Sequence, residues 1–432
     1  MIRTLVMSAL AASGLACAVD GGSDDASADG PGASDGLTVV TSLTPPIDDP
    51  PTRLDLAGPD PFPGDCWADV KDDFSFIWIA NTGEGTVSKI DTVAAIELAR
   101  YRTGPGNPDP SRTSASMRGD VAVANRAGSV TKIAARLTDC MDLNGNGVID
   151  TSQGPDDIRE WGTDDCVVWH YPIDFPQGLP ENMGGPRGIA WDRGSFEACH
   201  ADADVWISWR DQPRSTVEVR RLGGTSGAEE AAVQVPDWHC KWGHGPYGAV
   251  TDGRGAYWAL GTQMMLVRVD PGTLAIDRFE GPAGPVAYGI AIDALGDPWL
   301  SGWEGSLWRF DVEAAKFEDH GDFPGGPKRL RGLAIDASGH AWIAGNDPCA
   351  LVRYDTRAHE VVAANIPLPG CGEPVGVSVD RDKFVWVVDQ AADRAYKVDP
   401  GDYTTVIVGG LVSPYTYSDM TGQGLEGLTR TP

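Results

Sequence analysis

Tyr288-Gly-Ile-Ala-Ile-Asp293-Ala-Leu-Gly-Asp-Pro-Trp299 decides how the rest of the chain is read. A short apolar run ends in Asp, a tight turn of small and polar residues follows, and Trp opens a second alternating run. Three more copies are legible: Tyr247-Gly-Ala-Val-Thr-Asp252 with Trp258, Arg331-Gly-Leu-Ala-Ile-Asp336 with Trp342, and Val375-Gly-Val-Ser-Val-Asp380 with Trp386. Each copy closes on a basic, an apolar and an acidic residue: Arg268-Val-Asp270, Arg309-Phe-Asp311, Arg353-Tyr-Asp355 and Lys397-Val-Asp399. A period of roughly 42 residues holding several short strands predicts the blades of a propeller. The apolar spacing of two and the Gly, Asp, Ser and Pro separators exclude a helical repeat.

Working outward, Arg187-Gly-Ile-Ala-Trp-Asp192, Val205–Trp209 and Val217–Leu222 predict an earlier blade with a swollen first turn. Before it, Asp120–Ile133 predicts a degraded second blade whose outer strand resumes at Val167–Tyr171. Trp67–Val70, Phe76–Asn81 and Thr86–Asp91 predict the first blade, with Trp67–Val70 innermost. The expectation is an all-β, seven-bladed β-propeller over residues 59–432, with a calcium-binding-like insertion at 137–168 in blade two. Residues 409–432 form a tail, in which Tyr415 and Tyr417 alternate with small or polar residues. It reads either as a strand fastening the ring's end to its beginning or as a segment packed on blade one.

Composition fits this reading, with 54 Gly, 32 Pro and 15 Trp in 432 residues. A formal net charge of −28 disfavours nucleic acid and anionic membranes and suits cations or basic partners. Residues 1–16 carry one positive side chain, an apolar core and a small-residue exit, the pattern of an export signal. Cys17 is read as a lipid-anchored first residue, with Ala16-Cys17-Ala18 as a simple cleavage site the alternative. The acidic, small-residue stretch 17–58 reads as a flexible tether. No later apolar run reaches transmembrane length. The expected location is therefore the envelope, as an outer-membrane or periplasmic lipoprotein or at the cell surface, and the expected state is monomeric.

Export permits disulfides. Beyond Cys17 the cysteines are Cys66, Cys140, Cys166, Cys199, Cys240, Cys349 and Cys371, an odd number. Cys140 with Cys166 is the first expected pair, because together they fence one inserted loop. Cys349 with Cys371 is the second, because two blade turns on one face carry them.

The most specific chemical signal is Asp142-Leu-Asn-Gly-Asn-Gly-Val-Ile-Asp150. Asp142, Asn144 and Asn146 place short oxygen side chains at alternate positions, Gly147 permits a sharp turn, Val148 offers its carbonyl, and Asp150 adds another carboxylate. Calcium takes six to eight hard oxygens in flexible geometry, and EF-hand-type loops supply them in this way. Gln153 stands where a bidentate Glu is usual, so Asp156 or Asp157 is expected to curl back. The loop resembles those of dockerin or thrombospondin-type modules, which implies structural calcium. The alternative is an Asn/Gly-rich turn that satisfies its own backbone.

Inner strands line a propeller's channel, so the residues before each repeated Gly are candidate ligand contacts: Arg187, Tyr247, Tyr288 and Arg331. Guanidinium forks and aromatic faces suit an anionic or sugar-like ligand, or a protein, peptide or glycan partner; equally, these side chains can fill the funnel. Trp238-His-Cys-Lys-Trp-Gly-His244 brings His239 and His244 close to an inner strand. Either is a candidate general base, with Glu304 or Glu373 as companion carboxylate. The glycine-rich strings lack the strand-to-helix context and Lys-Ser/Thr ending of a phosphate cradle, and no Gly-x-Ser-x-Gly elbow or His-Glu-x-x-His helix occurs.

Gly289-Ile-Ala-Ile-Asp-Ala-Leu-Gly-Asp-Pro-Trp299 and Gly332-Leu-Ala-Ile-Asp-Ala-Ser-Gly-His-Ala-Trp342 resemble the repeats of streptogramin lyase (virginiamycin B lyase)-like and NHL-type propellers. The resemblance spans roughly residues 60–408 and implies a seven-bladed ring. It also implies a lyase that opens a cyclic depsipeptide with a His, Glu residues and bound Mg2+, for which His244 and Glu304 are the nearest analogues. The leader, the calcium-like insert and the disulfides make the whole resemble an exported propeller lipoprotein of the myxobacterial kind. Two classes are thus carried forward: an envelope binding or scaffolding propeller, and a lyase or hydrolase.

Overall fold

The computed structural model describes residues 75–428 except 175–183, 196–197, 212–215 and 239–243. The expected leader, tether, lipid-anchor site, inner strand at Trp67–Val70 and His239 lie outside the described residues. Seven antiparallel sheets follow one another along the chain. Blade one has described strands Phe76–Asn81, Thr86–Asp91 and Ile96–Arg102, and each later blade has four strands in simple meander order. Six inner strands pack side by side in ring order: Pro110–Ala115, Gly188–Trp191, Gly248–Thr251, Ala287–Ile292, Arg329–Ile335 and Pro374–Val379.

Strand register explains why the repeat has its particular letters. Each Trp of the four clear copies sits opposite the inner strand on one side, as Trp299 does opposite Ala291. On its other side it faces the basic residue of the closing triplet: Arg268, Arg309, Arg353 or Lys397. The Arg353 guanidinium accordingly lies over the Trp342 ring, 4.7 Å from its centroid. The Trp indole N–H reaches back to the Asp that ends the inner strand, at 3.0, 2.9, 2.8 and 2.8 Å in blades four to seven. That Asp's other oxygen caps the turn; Asp293 accepts the N–H groups of Leu295 and Asp297. Trp78, Trp206, Trp258, Trp299, Trp342 and Trp386 are fully buried between sheets, each contributing about 3 kcal/mol or more of burial and packing.

The tail runs beside blade one on the inner side. Tyr415 N–H donates to Ala80 O at 3.0 Å and Trp78 N–H to Met420 O at 3.0 Å. Ala115 N–H of blade two donates to Asp419 O at 3.0 Å, while Met420 N–H donates to Ser378 Oγ of blade seven at 3.0 Å. The tail therefore bonds to blades one, two and seven. Gly376 is required there, since a Cβ would sit 1.7 Å from Thr416 O.

Blade two departs from the repeat. Its inner strand, Pro-Ser-Arg-Thr-Ser-Ala, is mostly polar yet wholly buried, and the sequence pattern did not reveal it. Its third and fourth strands, Ser129–Ile133 and Val167–Pro172, are separated by the insertion. Cys140 and Cys166 are bonded across the base of that insertion, and Cys349 is bonded to Cys371, so both expected pairs form. Cys199 is also disulfide-bonded. Among the described residues no helix is long and apolar enough to cross a membrane.

Candidate functional site

The starts of the inner strands and the tail converge on one mouth of the ring. Tyr247, Tyr288, Tyr415 and Tyr417 join there through their hydroxyls: Tyr415 lies 2.6 Å from Tyr288, 3.1 Å from Tyr247 and 3.4 Å from Tyr417. Arg331 donates from one guanidinium nitrogen to Tyr288 Oη at 2.7 Å and from the other to Glu373 Oε1. Its plane lies over Trp303, 4.3 Å from the ring centroid, and Trp303 stacks on Tyr288 at 5.5 Å. The Arg187 guanidinium lies over Tyr247, 5.9 Å from the ring centroid.

Burial sets the charge balance of this cluster. Burial lowers the Arg331 pKa, but Tyr288, Tyr415, Glu373 and Tyr247 outweigh it and the net shift is upward. Burial raises Tyr288 well above its usual value even though Arg331 pulls the other way. At neutral pH the mouth thus holds a charged Arg331 against a protonated Tyr288. Arg112, fully buried, lies over Tyr417 and donates to Ser111 O and Tyr247 O; burial lowers its pKa to about 10, so it too stays charged.

All four expected ligand residues, Arg187, Tyr247, Tyr288 and Arg331, therefore share one mouth, but each is at most 6% exposed. They plug the bore, and the parts of the cluster open to solvent are Trp303 and Glu373. His244 is buried against Tyr247, with ring centroids 5.1 Å apart. Glu304 is exposed beside Trp303, and one of its oxygens accepts Val286 N–H at 3.0 Å. Glu373 is anchored through its backbone, because Asp389 accepts the N–H groups of Gly372 and Glu373 at 2.8 Å each. Sequence reasoning missed Arg112, Trp303, Tyr415 and Tyr417 as members of the cluster. Trp303 adjoins Glu304 and the tail Tyr pair alternates, but nothing local to Arg112 marks it.

The acidic loop of the insertion folds around its own backbone. Asp142 accepts from Gly145, Asn146 and Gly147 N–H, and Asn146 Oδ1 accepts from Val148 N–H. The Asn144 and Asn146 amides donate to Asp150 at 2.9 and 2.8 Å and lower its pKa. Just beyond Gly154-Pro155, Asp157 accepts Gln153 N–H at 3.0 Å. Asp165, unmarked by the motif, underpins the loop by accepting Leu143 and Asp150 N–H. Elsewhere, ligand atoms of Cys349, Cys371 and Asp389 lie within 4.8 Å of one another. A disulfide offers no thiolate, and Asp389 already serves the Glu373 loop, so the oxidised chain is a poor metal site there.

No protein-family model and no curated protein sequence matches the chain. Among solved structures, virginiamycin B lyase from Staphylococcus aureus aligns with a TM-score of 0.52 at 14% identity, over 73% of this chain and 91% of that one. A streptogramin B lyase aligns with a TM-score of 0.52 at 15% identity, over 73% and 87%. At such identity the likeness is one of fold: the chain is a seven-bladed β-propeller resembling those of the streptogramin and virginiamycin B lyases.

Proposed function

We propose that the chain binds an anionic or sugar-like ligand, as part of a protein, peptide or glycan, on the ring face around Trp303, Arg331 and Glu373. The observation that carries this is the Arg331 guanidinium, held charged, fixed by Tyr288 and stacked on a partly exposed indole. A partly exposed aromatic face backed by a buried, charged guanidinium suits a planar or hydroxylated group bearing negative charge.

The second reading is a lyase that opens a cyclic depsipeptide, and the comparisons lean toward it. It is supported by the shared fold and by His244 lying against Tyr247 at the same mouth. His244 would act as general base; His239 would be its alternative. The donor set fits magnesium, which needs only one or two carboxylates beside water: among the described residues only one Glu304 oxygen is engaged, and Glu373 lies on the same face. These two would hold the ion, which would polarise a carbonyl oxygen. Against it, Glu373 is already paired with Arg331. The test is incubation of the mature chain with a streptogramin B-type depsipeptide and Mg2+, followed by chromatography and calorimetry. Ring opening that His244→Ala abolishes establishes the lyase. Binding without opening, weakened at least tenfold by Arg331→Ala, establishes the binding propeller, and neither result with this or any anionic glycan rejects both.

The reading also places a structural calcium ion in the loop from Asp142 to Asp150 and the chain at the envelope, anchored at Cys17. Calcium would relieve the crowding of carboxylates in a protein of net charge −28. Millimolar calcium should raise the melting temperature by about 3 °C or more, and Asp142→Asn should remove the rise. A melting temperature indifferent to calcium and to chelator rejects the site.

A further inference from the structure

The tyrosine and arginine mouth closes only one end of the central channel. Later residues of the same inner strands line a cavity of about 310 Å3 toward the other end, with Leu425 of the short helix Gln423–Gly427 on its wall. Most of the wall is aliphatic, and Val250, Ile292, Ala334 and Ile335 keep partly exposed side chains there. Three acids also line it, but all are committed to the protein. Asp336 and Asp380 each give one oxygen to a Trp indole and the other to backbone N–H. Asp419 accepts the N–H groups of Thr421 and Gly422 and faces that of Gly424. The three cations of the lining are placed differently. Arg353 is held within the wall, donating to Pro400 O at 2.9 Å and lying over Trp342, whereas Arg381 and Lys383 stand exposed at the rim, on the turn after Asp380. Asp382 between them lies outside the lining, and the Lys383 ammonium has no hydrogen bond or ion pair among the described residues. The lining thus carries as many cations as acids, where the whole chain has 34 Lys and Arg against 62 Asp and Glu.

We propose that this cavity is a second binding site, for a free aliphatic carboxylic acid in its ionised form, whose carboxylate meets Lys383 and Arg381 at the rim and whose chain lies along the aliphatic walls. An anion is favoured over a cation because the carboxylates of the lining are engaged by N–H donors, while two of its cations face solvent. Burial of the chain in an apolar pocket of this size supplies most of the affinity. An ion pair at an exposed rim adds only about fivefold or less.

The probe is sodium octanoate, titrated at low salt into the full mature chain by calorimetry, beside n-octanol and n-octylamine. Octanoate should saturate one site and bind about threefold or more tighter than either of the others. The double substitution Arg381→Gln with Lys383→Gln, at two exposed positions, should weaken octanoate to the level of octanol and leave octanol unchanged. Ala334→Leu, which narrows the cavity and leaves both cations in place, should weaken octanoate and octanol together by about tenfold. Octanoate binding that is absent, matched by octanol or octylamine, or unchanged in the double variant or in Ala334→Leu overturns the site. Should Ala334→Leu fail to fold by circular dichroism, the double variant decides alone.

Discussion

Blades four to seven and blade three solve the same turn differently. In the clear copies the Asp ending the inner strand stands six residues before the Trp, and one carboxylate serves both the turn and the indole. In blade three the swollen turn moves Trp206 much further from Asp192. Asp192 still caps Gly194 and Asp204 N–H, but the Trp206 indole N–H has no partner among the described residues. The comparison shows that the repeat's acid is a clamp between two strands, and that lengthening the turn keeps the cap and loses the clamp.

Asp293→Ala tests the clamp most directly. It strands a buried indole N–H and the Leu295 and Asp297 N–H groups together, so the loss should be about 3 kcal/mol. Asp192→Ala removes only the turn contacts and relieves repulsion on Asp204, so about 1 kcal/mol is expected. Urea midpoints followed by Trp fluorescence give both values. Equal shifts would mean that the indole bond adds nothing and that the clamp is only a turn.

Why the sequence was transparent in one half of the ring and opaque in the other follows from the same geometry. The clamp, the facing strands and the Arg or Lys over the Trp all lie within one blade, so Asp293, Trp299 and Arg309 fall in a readable order. Arg331, Tyr288 and Tyr247 were visible as a set because each stands immediately before the repeated Gly of an inner strand. Arg112 was not, since the buried strand around it, Pro110–Ala115, is polar and owes its place to neighbouring blades and the tail. Whether a candidate is open to solvent was equally hidden: Tyr288 is sealed by tail residues far away in sequence. The acidic loop shows the same limit, for its motif named Asp142 to Asp150 while Asp165, which props it, is brought near by the return of the chain beside Cys166.

The smallest expected effect sharpens the contrast through pH. In blade three Asp204 sits beside Asp192 and Glu230; burial first, then these two acids, raise its pKa to about 7, and the Arg221 guanidinium at 3.4 Å only partly offsets them. Its folded pKa thus exceeds the unfolded value near 3.9, so the native state holds a proton that the unfolded chain releases. The stability this confers is fully present below about pH 4 and is lost as pH rises through about 7. Solvent screening of a partly exposed carboxyl reduces the swing to about 1 kcal/mol. Asp204→Asn keeps the shape and removes the titration, so between pH 5 and pH 8 its urea midpoint should fall less than that of the wild type. Parallel pH profiles would show that Asp204 is ionised throughout and that the Arg221 pair, rather than crowding by Asp192 and Glu230, governs the turn of blade three.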